Sequence, residues 1–382
     1  MNHRNLWTGP TLAALVAGGL VVAFCSGCGL WNRRWAVQWE REVAADSLTG
    51  LITAYDIAPA PDGGVLAVGA TSGGSLGDAA VVIRLDSDGR EVARRLYRGT
   101  YFGQLNVVRV VPAGGYIACG ATYPCGWLVR LNESGDTVWT RTWGDTASTT
   151  SLDAVTPTAD GGYMVAGYIA YNLGAMKVLF ARLDATGTEL SRWEWAGPLA
   201  NESPVCLLEQ PDGGFLISSM PTTLVRASAT GDTLWTRTYG FGYWFDLCPA
   251  PGGGWFGAGD SSHWPCDPQI IVTARFDANG ETLWTRKYRD GSDLKAYRVA
   301  AAPDGGCVVF GSLDTFSQGH EKHCALVLGY SSDGKLEWER TFGSDHSTCR
   351  SGIVGTDGWL TLAITEFVQE GLNSLTFIRT RP

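Results

Sequence analysis

Charge is scarce in this chain. Asp, Glu, Lys and Arg supply 18% of its 382 residues, where about 25% is usual for a globular protein. The balance is acidic, at net −9 with no basic cluster, which excludes a protein that wraps nucleic acid. Methionine and histidine are rare, at 4 and 5 residues. Gly, Thr, Trp and Tyr crowd where Ala, Leu, Glu and Lys would be needed, which excludes a helical protein. No G-X-Y period is present, so the chain is not collagenous. There is no G-x-S-x-G elbow, no P-loop and no strong G-x-G-x-x-G fingerprint. Nothing therefore marks a catalytic residue or implies a cofactor, and non-enzymatic function is the first expectation. What is present is 50 Gly, 16 Trp and 45% hydrophobic residues. That is ample for a core and too apolar for disorder. A large, turn-rich, all-β protein is expected.

The amino terminus reads as an address. A charged start is followed by the apolar stretch 11–24, TLAALVAGGLVVAF, which is shorter than the roughly 20 residues of a membrane span. Small residues follow it, as in an export signal. Ser26-Gly27-Cys28 resembles the lipobox of bacterial lipoproteins, in which the Cys after the cut receives lipid. Cys25 stands where that family usually has Leu, and a cut before Cys25 would leave bulky Phe24 beside it. The resemblance implies a signal peptide over 1–27, lipidation of Cys28 and a lipid-anchored linker over 28–35. Gly29 after the Cys resembles the outer-membrane sorting pattern, if the cell has two membranes. An uncleaved anchor from about Trp7 to Leu30, or plain secretion, would equally place the body outside the cytoplasm.

The body is one unit repeated. Pro61-Asp62-Gly63-Gly64-Val65-Leu66-Ala67-Val68-Gly69 returns near 113, 160, 212, 252 and 304 and, worn, as Asp357-Gly358-Trp359. Periods near 50 residues mean a propeller or solenoid. Each copy has a second half, Arg84-Leu85-Asp86-Ser87-Asp88-Gly89, matched at Arg130, Arg182 and Arg275, and then a Trp-Thr-Arg echo at Trp139, Trp235 and Trp284. Each unit thus predicts four short strands, A to D, with tight Asp-Gly, Asn-Gly or Gly-Gly turns between A and B and between C and D. The body opens at Ala36-Val37-Gln38-Trp39 as a D strand lacking its A, B and C. It ends at Leu375–Thr380 as a C strand lacking its D. The opening strand is therefore expected to complete the last blade of a seven-bladed β-propeller over 36–382, hiding the sheet edges.

The repeat resembles the bacterial and archaeal cell-surface propeller repeats with the phrase DGGyxvxG…lxrLdxxGxxxWxrxyG, over about 345 residues. The stretch Phe276-Asp277-Ala278-Asn279-Gly280-Glu281-Thr282-Leu283-Trp284 is also similar to quinoprotein-type propellers. Some of those are enzymes and others are lipoprotein scaffolds in outer-membrane assembly. The quinone-stacking vicinal Cys pair of the enzymes is missing here, which argues against that cofactor. The resemblance is specific for fold and weak for function.

A–B and C–D turns share one face of such a ring. Long, varied B–C and D–A loops share the other, and variable loops on a rigid scaffold are where binding is expected. On that face Tyr243, Trp244, His263 and Trp264 could stack on sugar rings or grip a peptide, against a bland reading as packing. His320, His323 and His346 could bind a transition metal, against a bland reading as exposed loop residues. Asp56, Asp153 and Asp246 fall in A strands and are expected to edge a central channel, where one could bind a cation. Asp86-Ser87-Asp88-Gly89 reads as turn chemistry rather than a calcium loop. Trp139 and Arg141 read as wedges between blades. Eight Cys follow the signal, and an exported protein permits disulfides. Cys119–Cys125 and Cys307–Cys324 are the candidate bridges. The expected partner is a protein or glycan at the cell surface or in the periplasm, with the membrane met only through the lipid anchor. An envelope assembly scaffold, or a hydrolase or lyase at the channel mouth, are the alternatives.

Overall fold

The computed structural model describes residues 35–44, 49–75, 77–98, 102–144, 148–171, 176–195, 204–219, 223–240, 243–261, 269–317, 320–343, 346–368 and 372–382. The signal peptide, Cys28, His263, Trp264 and Cys266 lie outside them. The described residues form seven four-stranded antiparallel sheets and no helix. Blades 1 to 6 span 50–98, 103–143, 148–195, 204–238, 243–288 and 293–342. Blade 7 takes its A, B and C strands from 347–381 and its outer strand from Ala36–Val43, which runs antiparallel to Leu372–Arg381 with Val43 opposite Leu375. Each inner strand packs on the next, and that of blade 7 packs on that of blade 1, so the ring is closed.

The core lies between blades rather than within them. Leu66, Val68 and Val82 of blade 1 meet Leu105, Tyr116 and Val129 of blade 2. The closing junction is built the same way, with Trp39, Leu375 and Phe377 of blade 7 against Ile52, Val65 and Ile83 of blade 1. Alternation explains this. Middle strands such as Ala79–Leu85 are buried on both faces, and outer strands such as Thr137–Trp143 leave one face to water.

The two halves of the repeated phrase meet on one face. Arg84 reaches Asp62 of the A–B turn at 2.6 Å, and Arg182 reaches Asp160 at 2.8 Å. Arg226 pairs with Asp212 in the same way. The Asp86 carboxylate accepts the N–H of Asp88 at 3.0 Å and of Arg90 at 2.8 Å, closing the C–D turn as an Asx motif.

Outer-strand tryptophans are the wedges. Trp139, Trp193, Trp235 and Trp284 each lie over the turn glycine of the following blade, at Gly187, Gly231, Gly280 and Gly334. Trp39 covers Gly89 and donates its indole N–H to the Ser87 carbonyl at 2.9 Å, carrying the pattern across the closure. Arg141, Arg237 and Arg286 sit over the tryptophan rings two residues before them, at 5.6, 5.5 and 5.4 Å. Blade 7 has no C–D turn of its own, and there Trp35 packs edge-on against Trp338 at 4.9 Å.

Two expectations are corrected. Cys125 faces Thr122, three residues from Cys119, which puts the pair ~10 Å apart along the ladder and on opposite faces. Cys324 faces Leu313, six residues from Cys307, or ~20 Å. A disulfide needs Cα atoms about 4.4–6.8 Å apart, so neither bridge forms, and no disulfide joins any two of the described cysteines. His320 and His323, expected in a loop, instead belong to the strand His320–Tyr330, which pairs with Cys307–Ser317 out to Ser317 opposite His320.

The wedge predicts an unequal cost for two similar substitutions. Gly280 has φ 78° and a Cβ there would lie 2.7 Å from the Trp235 ring, whereas Gly252 has φ 82° and open space around it. Gly280→Ala should cost about 2–4 kcal/mol and Gly252→Ala about 1–2 kcal/mol in urea unfolding. Equal losses would contradict the wedge.

Candidate functional site

The seven inner strands carry one irregularity in common. Each pairs with its neighbour through a β-bulge, and in each the ladder skips a single residue at the same place. The skipped residues are Tyr55, Asn106 and Asp153 in blades 1 to 3, and Val205, Phe245, Tyr297 and Arg350 in blades 4 to 7. A bulge re-aims a side chain, and here all seven line one axial cavity of about 370 Å³. Glycine on the adjacent strand accommodates the kink in five blades, while blade 4 has Ser219 and blade 7 has Ile364 at that place. A Cβ on Gly69, Gly167 or Gly259 would lie 1.7–1.9 Å from a carbonyl oxygen of the inner strand. These are the glycines that end the repeated phrase.

Below the bulges lies a buried ion network. Asp56 is 1% exposed. Its carboxylate accepts from Arg109 Nη1 at 2.7 Å, Ser351 Oγ at 2.8 Å and the Val108 N–H at 3.0 Å, and from Arg298. Those donors belong to blades 2, 7 and 6. Burial opposes ionisation of Asp56, but Arg298 and Arg109 outweigh it and hold the carboxyl below its ordinary range. Asp246 receives the Val299 N–H at 3.0 Å and lies 3.7 Å from Arg298 Nε. Its burial is not fully offset, and its pKa is raised. Arginine thus already accompanies Asp56 and Asp246, two of the three carboxylates expected to edge the channel, and not Asp153.

Two groups at the mouth stay uncommitted. Arg350 is exposed and lies over Tyr55 at 5.3 Å and Tyr297 at 5.6 Å. No carboxylate pairs with it among the described residues. Asp153, in blade 3, accepts the Ser151 hydroxyl at 2.8 Å through Oδ1, with the Asn106 amide beside it also favouring the charged form, while its buried Oδ2 has no well-formed hydrogen bond among the described residues. Burial pushes the Asp153 carboxyl up to about 6. Asp260, facing Tyr243 in the blade 5 ladder, is pushed up to about 7 by burial against the pull of Lys295.

The residues singled out in the sequence fare unequally. Tyr243 is half-buried beside Phe245, with ring centroids 6.4 Å apart, near the cavity. Trp244 is 1% exposed and packs edge-on against Phe276 at 5.4 Å in the core between blades 4 and 5, so it is not a ligand platform. Alternation turns it away from the channel that Phe245 faces. His323 and His346 do meet, with ring centroids 5.8 Å apart, and His323 Nδ1 lies 2.7 Å from Asp314. His320 stands at the tip of its strand, and its side chain lies outside the described residues. Among the described residues no set of three donors is placed to hold a metal. Of the bulge residues, only Asp153 and the aromatic stretch ending at Phe245 stood out in the sequence. A glycine on the adjacent strand marks the bulge in blades 1, 2, 3, 5 and 6, and no such signal marks Val205 or Arg350.

No protein-family model matches the chain, and no curated protein matches it. Solved structures match in fold. The Cps50 (Swd1) β-propeller domain of Myceliophteria thermophila is 11% identical with a TM-score of 0.58, over 89% of this chain and 99% of that one. The C-terminal WD40 domain of Sif2 is 9% identical with a TM-score of 0.54, over 90% and 97%. The Dos1 propeller is 12% identical with a TM-score of 0.52, over 85% and 77%. Similarity at this level shows the propeller fold alone.

The Asp153 carboxyl gives a pH-dependent test. An unfolded Asp titrates near ~3.9, below its folded value, so its protonated form favours folding. That stability is complete below about pH 4 and is lost as pH rises through 6. Asp153→Asn should therefore raise unfolding free energy at pH 7.5 by about 1–3 kcal/mol, with the gain vanishing at pH 4. A gain independent of pH in urea titrations would contradict this environment for the acid.

Proposed function

We propose that this protein is a non-catalytic, envelope-anchored propeller that binds a protein or glycan partner at the loop-side mouth of its channel. The observation that carries the reading is the ring of bulges. Elsewhere the blades repeat their chemistry, with Trp, Arg, Asp and Gly returning at equivalent places. At the bulge the chain spends one position per blade on seven side chains of six kinds, all aimed into one cavity. A scaffold needs sameness between blades, and recognition needs difference. The mouth mixes aromatic faces, amides, a cation and an acid, the mixture by which small concave sites bind. The lipobox resemblance supports an exported chain tethered through Cys28, with the ring held clear of the membrane by the linker 28–35.

Tyr55→Ala combined with Phe245→Ala should weaken capture of solubilised envelope glycans or peptides by at least ~10-fold, as expected when aromatic anchors are truncated. Ala229→Glu, in a turn on the opposite face, should leave capture intact. Loss in both variants, or in neither, would contradict a site at the mouth. Cys28→Ser should abolish incorporation of labelled palmitate, and retained label would contradict the anchor.

A further inference from the structure

We infer that the channel mouth recognises an acidic sugar residue, a uronate at the end or branch of a glycan chain. The inference rests on the proposed binding role of the mouth and gives it a ligand chemistry.

The argument begins with what each charged group already does. Arg109 and Arg298 are held by Asp56 and Asp246. Arg350 is not so held, and it is flanked by Tyr55 of blade 1 and Tyr297 of blade 6. A guanidinium between two rings keeps its plane fixed, and its N–H donors find no acceptor in ring faces. The remaining demand is for a planar anion with two oxygens, which a carboxylate meets in bidentate fashion. Among the described residues that line the cavity, Arg350 is the cation without a carboxylate partner, and one negative charge matches it. A phosphate, carrying nearly two, would call for more.

Asp153 sets the second requirement. It lies in blade 3, across the ring from blade 7, and beside the Asn106 amide its buried Oδ2 has no well-formed hydrogen bond among the described residues. The ligand must carry a hydrogen-bond donor at the end remote from its carboxylate. Gln104 and Asn106 line the cavity on the Asp153 side, and amides both donate and accept. A polyhydroxy ligand matches that wall, since each hydroxyl also does both. The Phe245, Tyr55 and Tyr297 rings offer apolar faces to the C–H face of a pyranose. A cavity of about 370 Å³ lies at the small end of ligand sites, which suits a single sugar residue entering by its end with the chain leaving through the mouth.

Isothermal titration of the full chain in detergent tests this, with tetrasaccharides ending in glucuronate, galacturonate or mannuronate. The same sugars with the carboxylate reduced to an alcohol, and a tetraglutamate peptide, are the counter-ligands. At least one uronate should bind about 10- to 100-fold more tightly than its reduced form, the range expected for a charge-assisted bidentate pair. Arg350→Met should erase that ratio, and Arg350→Lys should restore part of it. Asp153→Asn should weaken the uronate about 10-fold while leaving preference for the acid in place. Chemical-shift changes confined to the mouth would locate the ligand if a variant unfolds. Equal binding of acid and reduced sugar, abolished by the aromatic substitutions, would overturn the inference and leave the binding role standing. Tighter binding of tetraglutamate would do the same. If no sugar or peptide binds and the aromatic substitutions change nothing in envelope capture, both fall together.

Discussion

A single buried carboxylate holds the inner edge of this ring. Asp56 belongs to blade 1 and accepts hydrogen bonds from blades 2, 6 and 7, with Arg298 reaching on to Asp246 of blade 5. Placing an ion there carries a large desolvation cost, and the arrangement is tolerable only because two guanidiniums, a hydroxyl and backbone N–H groups surround it. Removing one partner leaves the others charged and dry. The network also spans the seam where the chain's two ends meet, so closure is secured twice. Trp39 and the strand pairing secure it at the rim, and Asp56 secures it at the axis.

That rigidity makes a precise mouth possible. The outer and middle strands repeat the same contacts from blade to blade, so Trp139 on Gly187 and Trp284 on Gly334 are one interaction used again. The inner strands break the repetition at one residue each. Because the bulge falls at the same place in every blade, the seven side chains converge at one level. A site assembled in this way has its backbone fixed by the ring while its side chains remain free to differ. This lets a repeated scaffold carry a unique recognition surface.

Much of the architecture could be read from the sequence because it depends on local signals that recur. Asp-Gly turns demanded positive φ, tryptophans returned at one spacing, and the orphan strand Ala36–Val43 predicted how the circle closes. The site was harder to read. Trp244 looked like a surface platform because its neighbours are aromatic, yet the bulge between Trp244 and Asp246 turns Phe245 to the channel and Trp244 to the core. One inserted residue reverses the faces of a strand, and simple alternation cannot locate it. Gly69, Gly167 and Gly259 mark the place in three blades, because each leaves room for a carbonyl oxygen of the inner strand. The cysteines misled for a related reason. Cys307 and Cys324 do occupy neighbouring strands, but the register sets Cys324 opposite Leu313, six residues along the ladder from Cys307.

A double-mutant cycle on Asp56 and Arg298 tests most directly whether the axial network underlies the ring. Asp56→Asn, Arg298→Met and the double variant would be compared with the parent in urea unfolding at neutral pH. If the pair is the buried, interdependent unit described here, each single change costs about 3–5 kcal/mol and the double costs little more than either, a coupling of about 2–3 kcal/mol. Losses that add to within about 0.5 kcal/mol would mean that Asp56 and Arg298 act independently, and the ring would then have to be held by its blade-to-blade packing alone.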